Sequence, residues 1–472
     1  MTNRPPRFST LRRTMPAAAI LLLAALALPA CAMVPPSSGS PSDSPPLTGT
    51  GALTPTPTEL PSIDVDPADL RGITVQVWHA FSGQAQQLFS SQVAQFNGYN
   101  EWGITVVASI HADYGALANA VDAAIGSDAT PDLVAALPEQ ALAWDADRLV
   151  VDLNPYIGDP DWGLGSDALA DIPAPFLAQD YTGERQLGLP AQRSTRVIFY
   201  NETWAHELGF DAPPQSADEF RGQACAANAA FRTDASLQND GYGGWVIDTD
   251  WQTSYSWLLA FGGEVWDGEA YGFRAGPNLE ALSFLKGLYD DHCAWISTEP
   301  TPFEAFAGRH ALFVSGDLAQ VPFAAGAMAR AANEDAWTVL PFPGTQESVL
   351  VVYGSSYSVL KSSPEQQLAA WLFARGLLSA ENQAQWVEAT DLLPLRTSLL
   401  DMIGPYRSAS PQWNAAVADL SLARGVPQLA SWGKVRYVLE DGLTVIFRMN
   451  TPADQLAGIL AEMDAMAEEL NE

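Results

Sequence analysis

From residue 73 onward the apolar positions change period repeatedly. The run "ITVQVW" alternates with a β-branched face and predicts a short strand, and "QAQQLFSSQVAQF" follows with Leu88, Phe89, Val93 and Phe96 at helical spacing. "ITVVAS" predicts a second strand, "GALANAVDAAIGS" a second helix, and "TPDLVAAL" a third strand punctuated by Pro131. Later strand-like runs are "RVIFYN", "GWVID", "ALFVS", "WTVLPF", "VLVVYG" and "YSVL". Helices are predicted at 216–228, 277–291, 364–389, 411–421 and 452–470, so the last third is mostly helical. Alternation of strands and helices predicts an α/β protein with mostly parallel sheets covered on both faces. No internal repeat is visible. The globular part, about 400 residues, is too large for one doubly wound sheet, and two α/β lobes are the economical arrangement. Ligands of open α/β sheets bind beyond the carboxyl ends of strands, and a cleft between lobes adds a second wall. The stretch "VQVWHAFSG" would point there.

The pattern at the N-terminus is different. Arg4, Arg7, Arg12 and Arg13 precede "AAAILLLAALALPA", which is too short to span a membrane comfortably as a permanent helix and ends in "LPAC". This resembles a bacterial lipobox, in which signal cleavage leaves Cys31 lipidated; the alternative is an ordinary secretory signal with an incidental cysteine. Residues 1–30 are therefore expected to be a lipoprotein signal peptide. Residues 31–70 are expected to be the lipidated cysteine and a Pro/Ser/Thr/Gly-rich tether that builds no core. No later stretch is long and apolar enough to cross a membrane. The expected location is the extracytoplasmic side, at the cell surface or in the periplasm, with membrane attachment through the lipid only.

Charge narrows the partners. The net charge of −32 becomes −36, 19 basic against 55 acidic residues, once the four N-terminal arginines are removed. Such a surface repels phosphate backbones and anionic lipid, which excludes nucleic acid as an expected partner. The remaining cysteines, Cys225 and Cys293, suggest a disulfide in an exported protein, with two buried free thiols as the alternative. Neither has a CxxC partner, and His79, His111, His206, His292 and His310 show no metal spacing, so no metal or cofactor is expected. There is no GxSxG elbow, phosphate-binding loop or GxGxxG motif. His79 and Ser82 lack an orienting acid for serine hydrolysis. Asp248 or Asp250 in "IDTDW" is the best candidate for a glycan-cleaving carboxylate, although the same groups would equally hydrogen-bond sugar hydroxyls without cleaving anything.

Six separated segments, in order, are similar to one family. They are "ITVQVWHAFSGQAQQLFSSQVAQFN", "AIGSDATPDLVAALPEQ", "LGLPAQRSTRVIFYNETWAHELGF", "WLLAFGGEVWDG", "GRHALFVSGD" and the long run from "VVYGSSYSVL" to "DLLPLR". Together they resemble the extracellular solute-binding proteins (family 1, maltose / glycerol 3-phosphate type) of bacterial ABC importers. The resemblance implies a two-lobed periplasmic-binding-protein type II fold, each lobe a central, mostly parallel sheet flanked by helices, with the ligand cleft between them. It places lobe one at 72–191 and 348–392 and lobe two at 192–347 and 393–472. It also implies a monomer that captures a carbohydrate, from mono- to oligosaccharide, by hinge closure and delivers it to the ABC permease transmembrane subunits. No catalysis is expected. Glycerol 3-phosphate or a glycerophosphodiester is the alternative ligand, and a secreted glycan-cleaving enzyme the alternative from another class.

Carried over residue by residue, the resemblance nominates Trp78, His79 and Ser82 in the first loop, Glu139 and Gln140 after the third strand, and Tyr353, Gly354 and Ser355. From the other lobe it nominates Arg193, Ser194, Asp250, Trp251, Asp317 and Trp432. These types suit a polyol: carboxylates and amides bond vicinal hydroxyls while aromatic faces stack on sugar C–H patches. Leu318 stands where maltose-like members carry a stacking Trp, a departure that argues against several stacked rings. Arg193, Arg196, Arg396 and Arg436 are the basic groups available to a phosphate.

Overall fold

A computed structural model describes residues 62–471 apart from 346, 449 and 450; the expected signal peptide, Cys31 and the tether up to residue 61 lie outside the described residues. The strands are β1 (Thr74–His79), β2 (Thr105–Ile110), β3 (Leu133–Ala136), the short pair β4 (Tyr181–Thr182) and β5 (Arg185–Gln186), β6 (Leu189–Pro190), and β7 (Ser194–Asn201). After these come β8 (Trp245–Val246), β9 (Ala294–Trp295), β10 (Phe313–Asp317), β11 (Trp337–Leu340), β12 (Leu350–Tyr353), β13 (Ser356–Val359) and β14 (Ala423–Arg424). One sheet has the order β2-β1-β3-β13-β6. The other has the order β14-β12-β7-β10-β8-β9, with β11 also paired to β7. Helices cover both.

Strand direction follows connectivity. β1 runs parallel to β2 and β3, as expected of strand–helix units, whereas β13 is antiparallel to β3 and β6. β7 is antiparallel to β10, β11 and β12. The strands next to the crossings thus make the sheets more mixed than strand–helix alternation alone implies. β7 is buried along its whole length, with Val197 and Phe199 in one apolar cluster and Ile198 and Tyr200 in another. That is the period of two for a strand covered on both faces, and it accounts for the run "RVIFY".

The chain leaves the first sheet after β6, enters the second at β7, and returns between β12 and β13. The return falls at Gly354–Ser355 and not at the expected 348, because Val352 and Tyr353 still pair with Thr195 and Ser194 of the second sheet. The two crossing segments touch. Gly354 has φ +158°, and a Cβ there would lie 2.0 Å from the Gln192 carbonyl oxygen, so the approach requires glycine. Arg193, fully buried, stitches the crossings together. It donates to the Ser355 carbonyl at 2.7 Å, to Ser356 Oγ at 3.0 Å and to the Phe176 carbonyl at 2.9 Å, and pairs with buried Asp180 at 2.9 Å. A third segment joins here, since the Leu393 N–H donates to the Arg193 carbonyl at 2.9 Å.

Three further differences from expectation have local causes. Residues 63–70, expected in the tether, are docked: the Ile63 N–H donates to Asp159 Oδ2 at 2.7 Å, Asp66 caps the turn Pro67–Leu70, and Leu70 is buried. The helix expected over 364–389 is two, Pro364–Leu377 and Ala380–Thr390, because Ser379 caps the second by accepting the Asn382 N–H. Helices Trp251–Ala260 and Trp432–Ile446, absent from the prediction, pack on each other in the second lobe. Cys225 and Cys293 are joined by a disulfide with Cα atoms 4.3 Å apart. Among the described residues no helix is long and apolar enough to cross a membrane.

Removing one partner of the Arg193–Asp180 pair strands a buried charge. Arg193→Met is expected to lower the unfolding free energy by about 3–5 kcal/mol. Pairing it with Asp180→Leu should recover only the part due to the stranded carboxylate, because the Phe176, Gln192 and Ser355 carbonyls still lose their donor, as read from urea midpoints of the single and double variants.

Candidate ligand-binding site

Where the crossings meet, the two lobes line a partly open cavity of about 190 Å³. One wall comes from the first lobe: Tyr114, opening helix Tyr114–Ala124, and Leu137, Pro138 and Glu139 at the end of β3. The opposite wall is Trp251, the first residue of helix Trp251–Ala260, with Trp432 and Arg436 from the first turns of helix Trp432–Ile446. The floor is the crossing itself, Gln192, Ser194, Tyr353, Gly354 and Ser355.

The aromatic walls are ordered by their own packing. Trp251 and Trp432 stand nearly perpendicular with centroids 5.7 Å apart, and Trp251 meets Tyr353 edge-on, also at 5.7 Å. Tyr353 is anchored from behind by donating its hydroxyl to Asp317. Glu139 accepts from Arg436 Nη1 at 2.8 Å, which joins the two walls across the lobes, and the guanidinium lies 5.4 Å over the Trp251 ring. Burial pushes the Glu139 carboxyl pKa up, and the Arg436 charge opposes that push. Gly433 makes room for the pair, since a Cβ there would press on Glu139 Cγ at 3.3 Å. The Trp432 indole N–H and Arg436 Nε are buried with no acceptor among the described residues. The cavity is thus lined by aromatic side chains and an ion pair whose charges cancel, while both unpartnered donors are covered.

Of the fourteen nominated residues, Glu139, Ser194, Trp251, Tyr353, Gly354, Ser355 and Trp432 line the cavity. The other seven do not. Trp78 packs under the sheet with its ring 4.9 Å from His111. His79 is buried between Phe81 and Phe89, and its Nδ1 accepts the Phe81 N–H at 3.2 Å. The first loop misses the cavity because Phe81 is pulled into the core against Phe89 and Trp386, leaving Ser82 exposed at the start of helix Gly83–Tyr99. Gln140 holds the cavity wall instead of lining it, accepting the Leu137 N–H and donating to the Tyr114 carbonyl. Arg193 is the buried tie described above. Asp250 and Asp317 are spent on Arg196, each at 2.9 Å, and Asp248 pairs with the same guanidinium.

The lining residues not nominated are Tyr114, Leu137, Pro138, Gln179, Gln192, Leu392, Val426 and Arg436. Arg436, expected as a cation available to phosphate, pairs with Glu139. Gln192 was one residue from a nomination. Tyr114 had a readable signal, because Asp113 caps its helix and so fixes the first-turn residue at the mouth of the cleft. Gln179 and Val426 lie in irregular segments and carried no sequence signal.

Two α/β lobes joined by touching crossings, with a ligand-sized cavity at the junction, define a two-lobed binding protein. Residues 91–418 match the model of the bacterial extracellular solute-binding protein family, and the chain belongs to that family. Binding proteins of Brucella abortus and Brucella suis are 22% identical over 276 residues, which is 58% of this chain and 65% of theirs. The chain thus spans just under two thirds of the length of these curated relatives. The fold is shared with solved structures. The sugar-binding protein MalE of Xanthomonas citri superposes with a TM-score of 0.71 at 19% identity, covering 84% of this chain and 97% of that one. The cyclic α-maltosyl-1,6-maltose binding protein of Arthrobacter globiformis gives 0.69 at 18%, covering 84% and 99%. UgpB of Mycobacterium tuberculosis, in complex with glycerophosphocholine, gives 0.66 at 18%, covering 84% and 98%.

Burial, with a smaller push from nearby His111, lowers the His79 pKa to about 4. The unfolded chain takes up that proton near pH 6.5, about the ordinary histidine value, while the folded protein resists it. The neutral imidazole therefore contributes stability that is present above pH 6.5 and lost as pH falls toward 4. His79→Gln should show a shallower decline of urea-unfolding free energy across that window than the unaltered protein; equal slopes would refute this assignment.

Proposed function

We propose that the protein captures an uncharged carbohydrate on the extracytoplasmic side and delivers it to the transmembrane subunits of an ABC importer. The observation that carries this reading is the cavity wall: Trp251, backed by the fully buried Trp432, beside an ion pair with no net charge. An aromatic face suits the C–H patches of a sugar ring, and the Glu139–Arg436 pair suits its hydroxyls. The sugar-binding proteins of Xanthomonas citri and Arthrobacter globiformis share the fold and support the same ligand class. The proposal includes a monomer exported by residues 1–30 and anchored through lipid on Cys31. Catalysis stays with the partner subunits. Asp248 and Asp250, the best candidates for glycan cleavage, both pair with Arg196 and neither lines the cavity.

A second reading rests on Arg436, a cavity-lining cation that would suit a phosphate oxygen of a glycerol phosphodiester, the ligand class of the UgpB structure. It is the weaker of the two because Glu139 already neutralises this arginine.

A thermal-shift screen of hexoses, disaccharides and glycerol 3-phosphate separates the readings, since a bound ligand raises Tm by mass action. At least one sugar should raise Tm; a response to the phosphate alone would overturn the carbohydrate reading. For the sugar that binds, Trp251→Ala and Glu139→Gln should each weaken affinity by about tenfold or more, measured by calorimetry.

A further inference from the structure

Three carboxylates converge on one guanidinium behind the cavity. Arg196 follows Ser194 by two positions on β7 and so lies on the same face of that strand. Ser194 lines the cavity, whereas Arg196 is buried and does not. Asp317 sits directly opposite Arg196 on β10 and accepts from Nη1 at 2.9 Å. Asp248 and Asp250, which follow β8, both accept from Nη2, Asp250 at 2.9 Å. Nε donates to Thr253 Oγ1 at 2.8 Å, and that hydroxyl donates in turn to Asp248.

Two of these partners lead into the cavity. Asp317 also accepts the hydroxyl of Tyr353, a lining residue on β12. Asp250 immediately precedes Trp251, and Thr253 lies in the first turn of the same helix. The Asp250 side chain occupies the N-cap position without bonding to the N–H groups of its own helix; its bond goes to Arg196. The start of the helix that presents Trp251 is therefore held from outside. Trp251 meets Tyr353 edge-on at 5.7 Å, so both rings of that contact trace back to one cation.

Carboxylates gathered at one point repel each other, and an exposed one is free to turn into water. The Asp250 side chain is 57% exposed, and Arg196 is its one hydrogen-bonding partner among the described residues. Burial and neighbouring Asp248 push the Asp250 pKa up, and Arg196 opposes them. A planar guanidinium spans several acceptors in a fixed fork; a lysine ammonium is a point charge that does not reproduce it.

We propose that Arg196 is a positioning residue of the cavity, fixing Trp251 through Asp250 and Thr253 and Tyr353 through Asp317. It touches no ligand. The positioning applies to any ligand, and its effect on sugar affinity rests on the carbohydrate reading given above.

Fluorine NMR of the whole protein labelled with fluorotryptophan tests this without a ligand, Trp251 being assigned as the resonance lost in Trp251→Phe. Arg196→Lys should shift or broaden that resonance. Those of Trp102, Trp162 and Trp371, in the other lobe, should stay in place and report an intact fold. An unmoved Trp251 resonance overturns the proposal. If Arg196→Lys does not fold, Asp317→Asn replaces it: the position is half-buried, and freeing Tyr353 should also move the Trp251 resonance, with no movement again overturning the proposal. Calorimetry with glucose, maltose, cellobiose and lactose supplies the second arm. For a sugar that binds, Arg196→Lys should weaken affinity by about tenfold, but by about threefold or less once Trp251→Ala is present. An equal loss in both backgrounds overturns the proposal. Binding of none of these sugars counts against the carbohydrate reading, and the NMR result then decides the positioning by itself.

Discussion

The guanidinium of Arg193 is the interaction on which the two-lobed arrangement depends. A chain that passes from one sheet to another must take its backbone out of both hydrogen-bond ladders, and buried peptide groups outside a ladder need other partners. Arg193 provides them for the Phe176, Gln192 and Ser355 carbonyls, while its own carbonyl accepts the Leu393 N–H. Burying the guanidinium is costly, and Asp180 offsets that cost because it is buried in the same place. Gly354 then lets the second crossing lie directly on the first. Ser194, Gly354 and Ser355 thus form a cavity floor whose position is set by packing behind it, a requirement for any site that must hold its geometry.

Charge has a similar economy. In a chain with 55 acidic residues, each arginine that a phosphate might use is already matched by a carboxylate. Arg193 has Asp180, Arg436 has Glu139, and Arg396 has Asp171 at 3.6 Å. Arg196 is surrounded by Asp248, Asp250 and Asp317, and these contacts, against the burial that opposes them, hold its pKa well above the ordinary arginine value. The arginines serve as internal counter-ions. Recognition in the cavity therefore falls to aromatic faces and hydrogen-bonding groups.

How much of this was legible in the sequence depended on whether a residue's role was local. β1, β2, β3 and β7 were readable because their period of two, or their unbroken apolar run, reports burial directly. Helix Trp251–Ala260 was not, because it is buried on nearly every face, which erases the helical period. Helix Trp432–Ile446 was readable, since Trp432, Val435, Val438, Leu439, Leu443 and Ile446 recur at helical spacing on its buried face, but it was missed. Resemblance found the lengths of chain that approach the cavity but not the direction of each side chain. It nominated Arg193 and missed adjacent Gln192, although only the latter lines the space. It nominated Asp250 and Asp317, whose capture by Arg196 is a contact between residues far apart in sequence. The first loop failed for the same reason, since nothing in "WHAFSG" says that Phe81 will turn inward to meet Trp386.

Under the proposed function, the cavity also bears on how closure and binding would be coupled. Glu139 and Arg436 come from opposite walls, so their contact exists only when the walls are together. A buried ion pair contributes little net stability, because the cost of taking both groups out of water roughly cancels their attraction. Under the proposed carbohydrate reading, a ligand that touches both walls would gain contacts that only the closed arrangement offers. That difference in interaction between the open and closed forms is what a ligand must supply to shift the equilibrium between them.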